Sequence, residues 1–249
     1  MNQLKTLSFY LKNVQRFWIF FSLLIVYLLG SLATSIFFII NRSQRELLEF
    51  SLADSFILIG EPYIHGFIVT FPYVITLCFL FFQNFNSHHV LSFKKRQTLW
   101  YQQSFIIVTS SLLWTLLIGF LVFILSFPFV TTSMNWDSMN SFFFFKTGTL
   151  LDISFVIVAT LTLFTIWISL LFIGSIFLLI YWYTDSFMLC FFFSVLFLGL
   201  MQLYSFFSYH SFIDQTRFAY KQILTFIFCL VMFYGFAHLK IITRKDFHE

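Results

Sequence analysis

Long apolar runs alternate with short polar ones along this chain, and the runs are sized for a membrane rather than for the half-buried faces of a water-soluble fold. Crossing about 30 Å of hydrocarbon takes roughly 20 mostly apolar residues in a helix. Six uncharged windows come close to that length: Phe17–Ile40, Gly66–Phe82, Ser104–Phe127, Ile153–Tyr183, Phe187–Phe207 and Ile223–Leu239. The pattern predicts an all-α integral membrane protein with six transmembrane helices. At about 1.5 Å per residue the fourth window reaches about 45 Å, so it must tilt, kink or project from the bilayer. It reads as one helix, with two half-helices meeting near Gly174-Ser175 as the alternative.

The connections refine this plan. Leu4, Leu7, Leu11 and Val14 recur at helical spacing, with Lys5, Lys12 and Arg16 on another face. That arrangement predicts an amphipathic interfacial helix before the first span. A signal peptide is the lesser reading of the same segment, because the apolar run that follows is span-length. Asn41 to Ile64 reads as the longest polar connection, and Phe142 to Lys146 as a segment at the membrane surface. Pro62, Pro72 and Pro128 fall at or near span ends, and Pro72 is the one placed to kink a helix. With no internal repeat and no low-complexity linker, residues 1–249 read as a single membrane domain.

Composition agrees: 60% of the residues are apolar and 10% charged, far from the balance of a soluble domain. The 42 phenylalanines assign no function, because lipid accepts any large apolar side chain. Cys78, Cys190 and Cys229 lie inside apolar runs, where a thiol behaves as a small hydrophobe and a disulfide framework is not expected. The net charge of +4 reports orientation and lipid headgroups in such a chain and does not imply nucleic acid. With the N-terminus inside, Lys5, Lys12, Arg16, Lys94, Lys95, Arg96, Lys240, Arg244 and Lys245 are internal, leaving five bases outside. The bias predicts a multi-pass protein of the cell membrane with both termini cytoplasmic.

Chemistry within the windows is sparse. Ionisable groups are costly in lipid, so ion-coupled carriers and intramembrane enzymes tend to display them in their spans. His238 is the one histidine inside a window, near the Lys240 end, and His65 stands at a helix end beside Glu61 and Pro62. Both read as headgroup-level residues. His88 and His89 are adjacent, hence about 100° apart on a helix, and do not form the i, i+4 pair that a metal favours. Neither an HExxH motif nor a GxxxxGK[ST] loop occurs. No catalytic residue, metal ligand or cofactor is therefore expected on this chain. If it moves a substrate, the energy must come from a separate subunit that hydrolyses ATP.

Such a subunit needs a grip, and Ser87 to Gln103 offers one: Val90, Leu91, Leu99 and Trp100 supply apolar contacts, and Lys94, Lys95 and Arg96 supply charge. An ordinary basic loop between two spans is the plain alternative. The stretch VLSFKKRQTLWYQQ resembles the segment between the second and third spans of type 2 ABC transporter permeases, where leucine-leucine-serine-leucine-proline-basic-arginine leads into the next helix. Leu91, Ser92 and Phe93 match the apolar-serine-apolar start and Arg96 the arginine, while Lys94 stands where proline is frequent and Gln102-Gln103 where lysine is common. By length and layout the chain is most similar to compact Gram-positive permeases for peptide export or lantibiotic immunity.

The resemblance implies that Leu91, Ser92, Phe93, Lys94, Lys95 and Arg96 form a short cytoplasmic coupling helix between spans 2 and 3. It also implies a cytoplasmic ATPase partner carrying ATP and Mg, and a second copy or a related permease. Gly30, Ser31, Thr34 and Ser35 form overlapping small-xxx-small pairs, a candidate dimer contact that could equally serve packing within one protomer. The expected function is the permease subunit of an ABC exporter for a hydrophobic or amphipathic substrate such as a peptide. The competing reading is a membrane scaffold that anchors a cytoplasmic partner and transports nothing.

Overall fold

The computed structural model describes residues 2–61, 63–84, 96–184, 186, 188–194, 196, 209–213, 224, 227, 228, 231 and 235, with the backbone alone at 2–17, 82–84, 96, 97, 210 and 211. Its elements are α1 (Asn2–Arg45), α2 (Leu52–Ile59), a π-helical stretch Ile64–Thr70 continuous with α3 (Phe71–Asn84), α4 (Arg96–Ser126), α5 (Phe142–Thr147) and α6 (Phe155–Thr184). Turns of 3-10 helix occupy Phe127–Phe129 and Tyr209–Phe212. Among the described residues there is no strand, only an isolated parallel bridge between Glu49 and Ser141.

Four stretches are long and apolar enough to cross a membrane: Trp18–Arg45, Ile64–Phe81, Thr98–Phe129 and Phe155–Thr184. They correspond to the first four apolar windows. The fifth and sixth windows lie mostly outside the described residues, apart from a helical stretch at 188–194 and a few single positions.

Helix α1 departs from expectation. No glycine or proline occurs between Asn2 and Leu29, so nothing stops the helix at Arg16. The amphipathic start and the first span form one helix of 44 residues, not a separate interfacial helix followed by a span. Leu24, Leu28, Leu32, Ile36 and Ile40 are its buried stripe, one residue per i+4 step.

At the centre stands α6. The sequence is apolar on every side, and from Thr165 to Leu178 nearly every residue is buried, as expected for a helix enclosed by others. It is unbroken, so the half-helix alternative near Gly174-Ser175 does not hold. Gly174 serves packing instead. A Cβ there would lie 2.7 Å from Ile107 Cγ2 of α4 and 3.0 Å from the Tyr73 hydroxyl of α3. At Gly119 of α4, a Cβ would lie 2.7 Å from Leu163 of α6. Two glycines thus let α4 and α6 approach along their length.

One end of the bundle is covered by a small cap built from Glu46–Ile59, Val130–Ile153 and the Tyr209–Phe212 turn. Asn41 to Ile64 is therefore not the polar connection that its charges suggest. Residues 52–59 form a fully buried helix, α2, started by a capping box in which Ser51 and Asp54 bond each other reciprocally. Backbone bonds tie it to the facing loop: Leu52 N to Thr132 O at 3.1 Å, Ala53 N to Ser133 O at 3.1 Å, Glu49 N to Asn140 O at 2.8 Å and Phe142 N to Glu49 O at 3.0 Å. The Phe142–Lys146 segment is likewise no simple surface patch. Phe142 and Phe143 are buried, and only Phe145 among its phenylalanines is largely exposed.

Candidate functional site

Leu91, Ser92, Phe93, Lys94 and Lys95 lie outside the described residues, as do His88, His89, His238 and Cys229. Arg96 is placed, as the first residue of α4. The next turn of α4 corrects the expectation of apolar contacts offered to a partner. Leu99 and Trp100 are buried in the chain's own core and are not free to meet another subunit. Trp100 sets its ring edge-on to Trp182 of α6, with centroids 5.6 Å apart, and Trp182 Nε1 donates to Gln103 Oε1 at 2.6 Å. The start of α4 is therefore clamped to the end of α6 that lies away from the cap. An amide at the border of an apolar run, one turn from a tryptophan, is the available signal for an internal bond, but nothing in the sequence names Trp182 as its partner.

The small residues of α1 face outward. Gly30 and Thr34 are exposed, Ser31 and Ser35 half-buried, and nothing lies within 4 Å of where a Gly30 Cβ would stand. Their hydroxyls turn back on their own helix: Ser31 Oγ donates to Tyr27 O at 2.7 Å, Thr34 Oγ1 to Ser31 O at 3.0 Å and Ser35 Oγ to Ser31 O at 2.8 Å. The stripe presents a smooth outer face on α1.

The most elaborate polar junction surrounds the π-helical stretch. Its cause is legible in the chain: Pro72 has no N–H, and its ring opposes the carbonyl four residues earlier. The preceding turn widens to the π pattern, with Phe71 N–H bonding Gly66 O and Thr70 Oγ1 donating to His65 O at 2.9 Å. In that pattern Phe67 O would await the missing proline N–H. It receives Tyr27 Oη of α1 instead, at 3.3 Å. Trp114 Nε1 of α4 donates to Val69 O at 3.1 Å, and Ser169 Oγ of α6 lies 2.9 Å from His65 Nε2. Side chains from three other spans thus meet on one irregular turn, the usual way freed backbone groups are satisfied away from water.

His65, beside Glu61 and Pro62 at the start of its span, is turned into the bundle and enclosed there. Nε2 meets Ser169, while Nδ1 is shielded and has no partner among the described residues. Ser169 also donates to Ile166 O at 2.7 Å, which anchors it to its own helix. The other spans place only Arg42 and Arg45 among charged residues, both at the cap end of α1.

The cap holds the second enclosed ionisable group. Asp54 Oδ2 accepts from Ser51 N at 2.8 Å and Ser51 Oγ at 2.7 Å, and Oδ1 accepts from Trp136 Nε1 at 3.0 Å. Trp136 stacks on Phe143 with centroids 4.1 Å apart and meets Phe212 edge-on at 5.4 Å. Burial pushes the Asp54 carboxyl up to about 6, against the opposing pull of the Ser51 and Trp136 bonds. No group of His, Cys, Asp or Glu among the described residues could hold a metal ion, and Cys78 and Cys190 are free thiols. No family model, curated protein or solved structure matches the chain. What stands is a membrane-embedded, all-helical protein.

Proposed function

We propose that this protein is the permease subunit of an ABC exporter, worked from the cytoplasm by a separate ATPase on which ATP and Mg reside. In this reading the cap is outside, both termini are inside, six helices span the membrane, and two permease copies or relatives assemble. The outward stripe Gly30, Ser31, Thr34 and Ser35 is then a candidate contact between them. The substrate class is a hydrophobic or amphipathic molecule such as a peptide.

The observation that carries the reading is the mechanical continuity of α4. It begins at Arg96, beside the coupling residues, and runs 31 residues without a break, about 46 Å. Its first turns are clamped to α6 through Trp100, Gln103 and Trp182, so force applied at 91–96 enters the central helix of the bundle. Among the described residues, the four candidate spans hold no charged group except Arg42 and Arg45 at the cap end of α1, which favours work delivered from a partner over an ion gradient.

The test is charge reversal of Lys94, Lys95 and Arg96 to Glu in the native membrane. The triple variant should insert at the wild-type level and lose co-purification of a P-loop ATPase. Retention of the ATPase at the wild-type level removes the site assignment. If wild type itself brings down no ATPase, the exporter reading falls and the anchoring role remains.

A further inference from the structure

We propose that the π-helical stretch Ile64–Thr70 is a register switch in the second span, a two-state turn whose conversion to α-helix rotates α3 against the rest of the bundle. The inference rests on the exporter reading for its driver, but the switch itself stands on the local geometry.

Two carbonyl positions distinguish the two registers. In the π register the N–H missing from Pro72 would have bonded Phe67 O, and in the α register Ile68 O. Tyr27 Oη donates to Phe67 O, so α1 supplies the bond that only the π register needs. The Pro72 ring works in the same direction, since it opposes the carbonyl of Ile68 that the α register would bring beneath it. Thr70 Oγ1 on His65 O and the His65–Ser169 contact complete the set. Every one of these holds the π form; the Thr70 and His65–Ser169 contacts lie among buried residues, and the Tyr27 bond is the one at the outer face. Tyr27 is itself largely exposed, and its bond to Phe67 is long, at 3.3 Å.

The other side of the balance is also present. The π turn leaves His65 Nδ1 buried without a partner among the described residues, a cost that a rearranged turn can relieve. Conversion by one residue turns α3 by about 100° and shifts it by about 1.5 Å relative to the chain before it. That rotation carries Tyr73 away from Gly174 and Phe81 away from Phe177, where the rings now lie 5.8 Å apart. At its far end α3 leads, through residues 85–95, into the start of α4. At its near end the π stretch packs on α1 and α2, the latter belonging to the cap. The turn is thus the place where motion applied beyond α3 either stops or reaches the cap.

The experiment uses the full chain in lipid nanodiscs, with its cysteines replaced by serine and nitroxides at positions 79 and 116, both exposed. Electron–electron distance distributions report the rotation of α3 against α4. Wild type should show one dominant distance and a minor second one. Tyr27→Phe, which removes only an exposed hydroxyl, should raise the minor population about threefold to tenfold, as expected for losing one membrane hydrogen bond. Pro72→Ala should make it dominant. A single unchanged distance in both variants overturns the switch. If both variants respond but addition of an ATPase preparation with a non-hydrolysable ATP analogue does not shift the wild type, the switch stands and its assigned driver fails.

Discussion

The cap encloses the Asp54 carboxyl and the π junction the His65 imidazole, and they treat the two groups in opposite ways. Asp54 receives three donors from Ser51 and Trp136, inside a box of aromatic rings and cross-loop backbone bonds. His65 has one side-chain partner, and its other nitrogen has none among the described residues, on a turn whose own hydrogen bonds are displaced. The cap is not satisfied throughout, since Ser55 Oγ, Asn135 Oδ1 and Tyr209 Oη are shielded without a partner among the described residues. The contrast is therefore between the two groups: a carboxyl with both oxygens engaged fixes its surroundings, whereas a half-satisfied imidazole leaves an alternative within reach. The contrast teaches where this chain is built to hold and where it is built to give.

The largest effect should come from the centre of the cap. Trp136 is fully buried, stacks on Phe143 and donates to Asp54. Trp136→Ala should cost about 3–5 kcal/mol by loss of burial and the cavity left behind, with the newly unpaired Asp54 oxygen adding to the loss. Ser169→Ala at the junction should cost about 1–2 kcal/mol, one membrane hydrogen bond with His65 Nε2 left buried beside an already unpartnered Nδ1. Denaturant titration in mixed micelles measures both. Comparable losses at the two sites would erase the distinction between a held cap and a yielding junction.

Much of the cap is present in the sequence without being readable as such. Ser51 followed three residues later by Asp54, before Phe56-Ile57-Leu58-Ile59, is a helix-start signature, yet the segment reads as a polar connection because Arg42, Glu46, Glu49 and Glu61 dominate its charge. Trp136 cannot be assigned as the partner of Asp54 from sequence, since an 82-residue separation leaves no local pattern. The first four spans are legible because lipid demands length and apolarity together, and the irregular turn before Pro72 is legible because proline lacks a donor. The occupants of the freed carbonyls, Tyr27 and Trp114, are not. A phenol and an indole in apolar helices look like ordinary lipid-facing or core residues until tertiary structure brings them to a backbone oxygen. The continuity of α1 escapes for a simpler reason: a change of amphipathicity at Arg16 reads as a change of element, though no residue there ends a helix.

Next in size is the pH response of the cap. Asp54 is raised from 3.8 to about 6, so the folded state holds its proton more tightly than the unfolded chain does. Its contribution is fully present below about pH 4 and is lost as pH rises through about 6, a change on the order of 3 kcal/mol. Hydrogen exchange at residues 52–55 should therefore quicken between pH 5 and 7.5. In Asp54→Asn the baseline is weaker, because an amide cannot accept from all three donors, but the slope should vanish. A variant that keeps the wild-type slope would assign the response to another group. The π junction, measured in the same samples through residues 64–71, supplies the comparison within one molecule.

The smallest effect separates the tight interior of the bundle from its outward face using the same substitution at two glycines. At Gly174 an added methyl meets Ile107 Cγ2 at 2.7 Å and the Tyr73 hydroxyl at 3.0 Å, so neighbours on two helices must move. Gly174→Ala should cost about 1–3 kcal/mol through overpacking, and because Tyr73 is one of the two neighbours, it should also disturb the orientation of α3 below the π turn. At Gly30 the added methyl meets nothing within 4 Å, and alanine is the better helix former by about 1 kcal/mol in water, so Gly30→Ala should leave the single chain neutral or slightly firmer. The two variants therefore move in opposite directions if the bundle is closed around α6 and open along α1. Measured again by cross-linking of copies in the membrane, Gly30→Ala gains a second meaning: a stripe that receives another helix loses association when its smallest residue grows, while a stripe that faces only lipid does not. Loss of association without loss of single-chain stability would place the contact on α1, and unchanged association would leave that face to the bilayer.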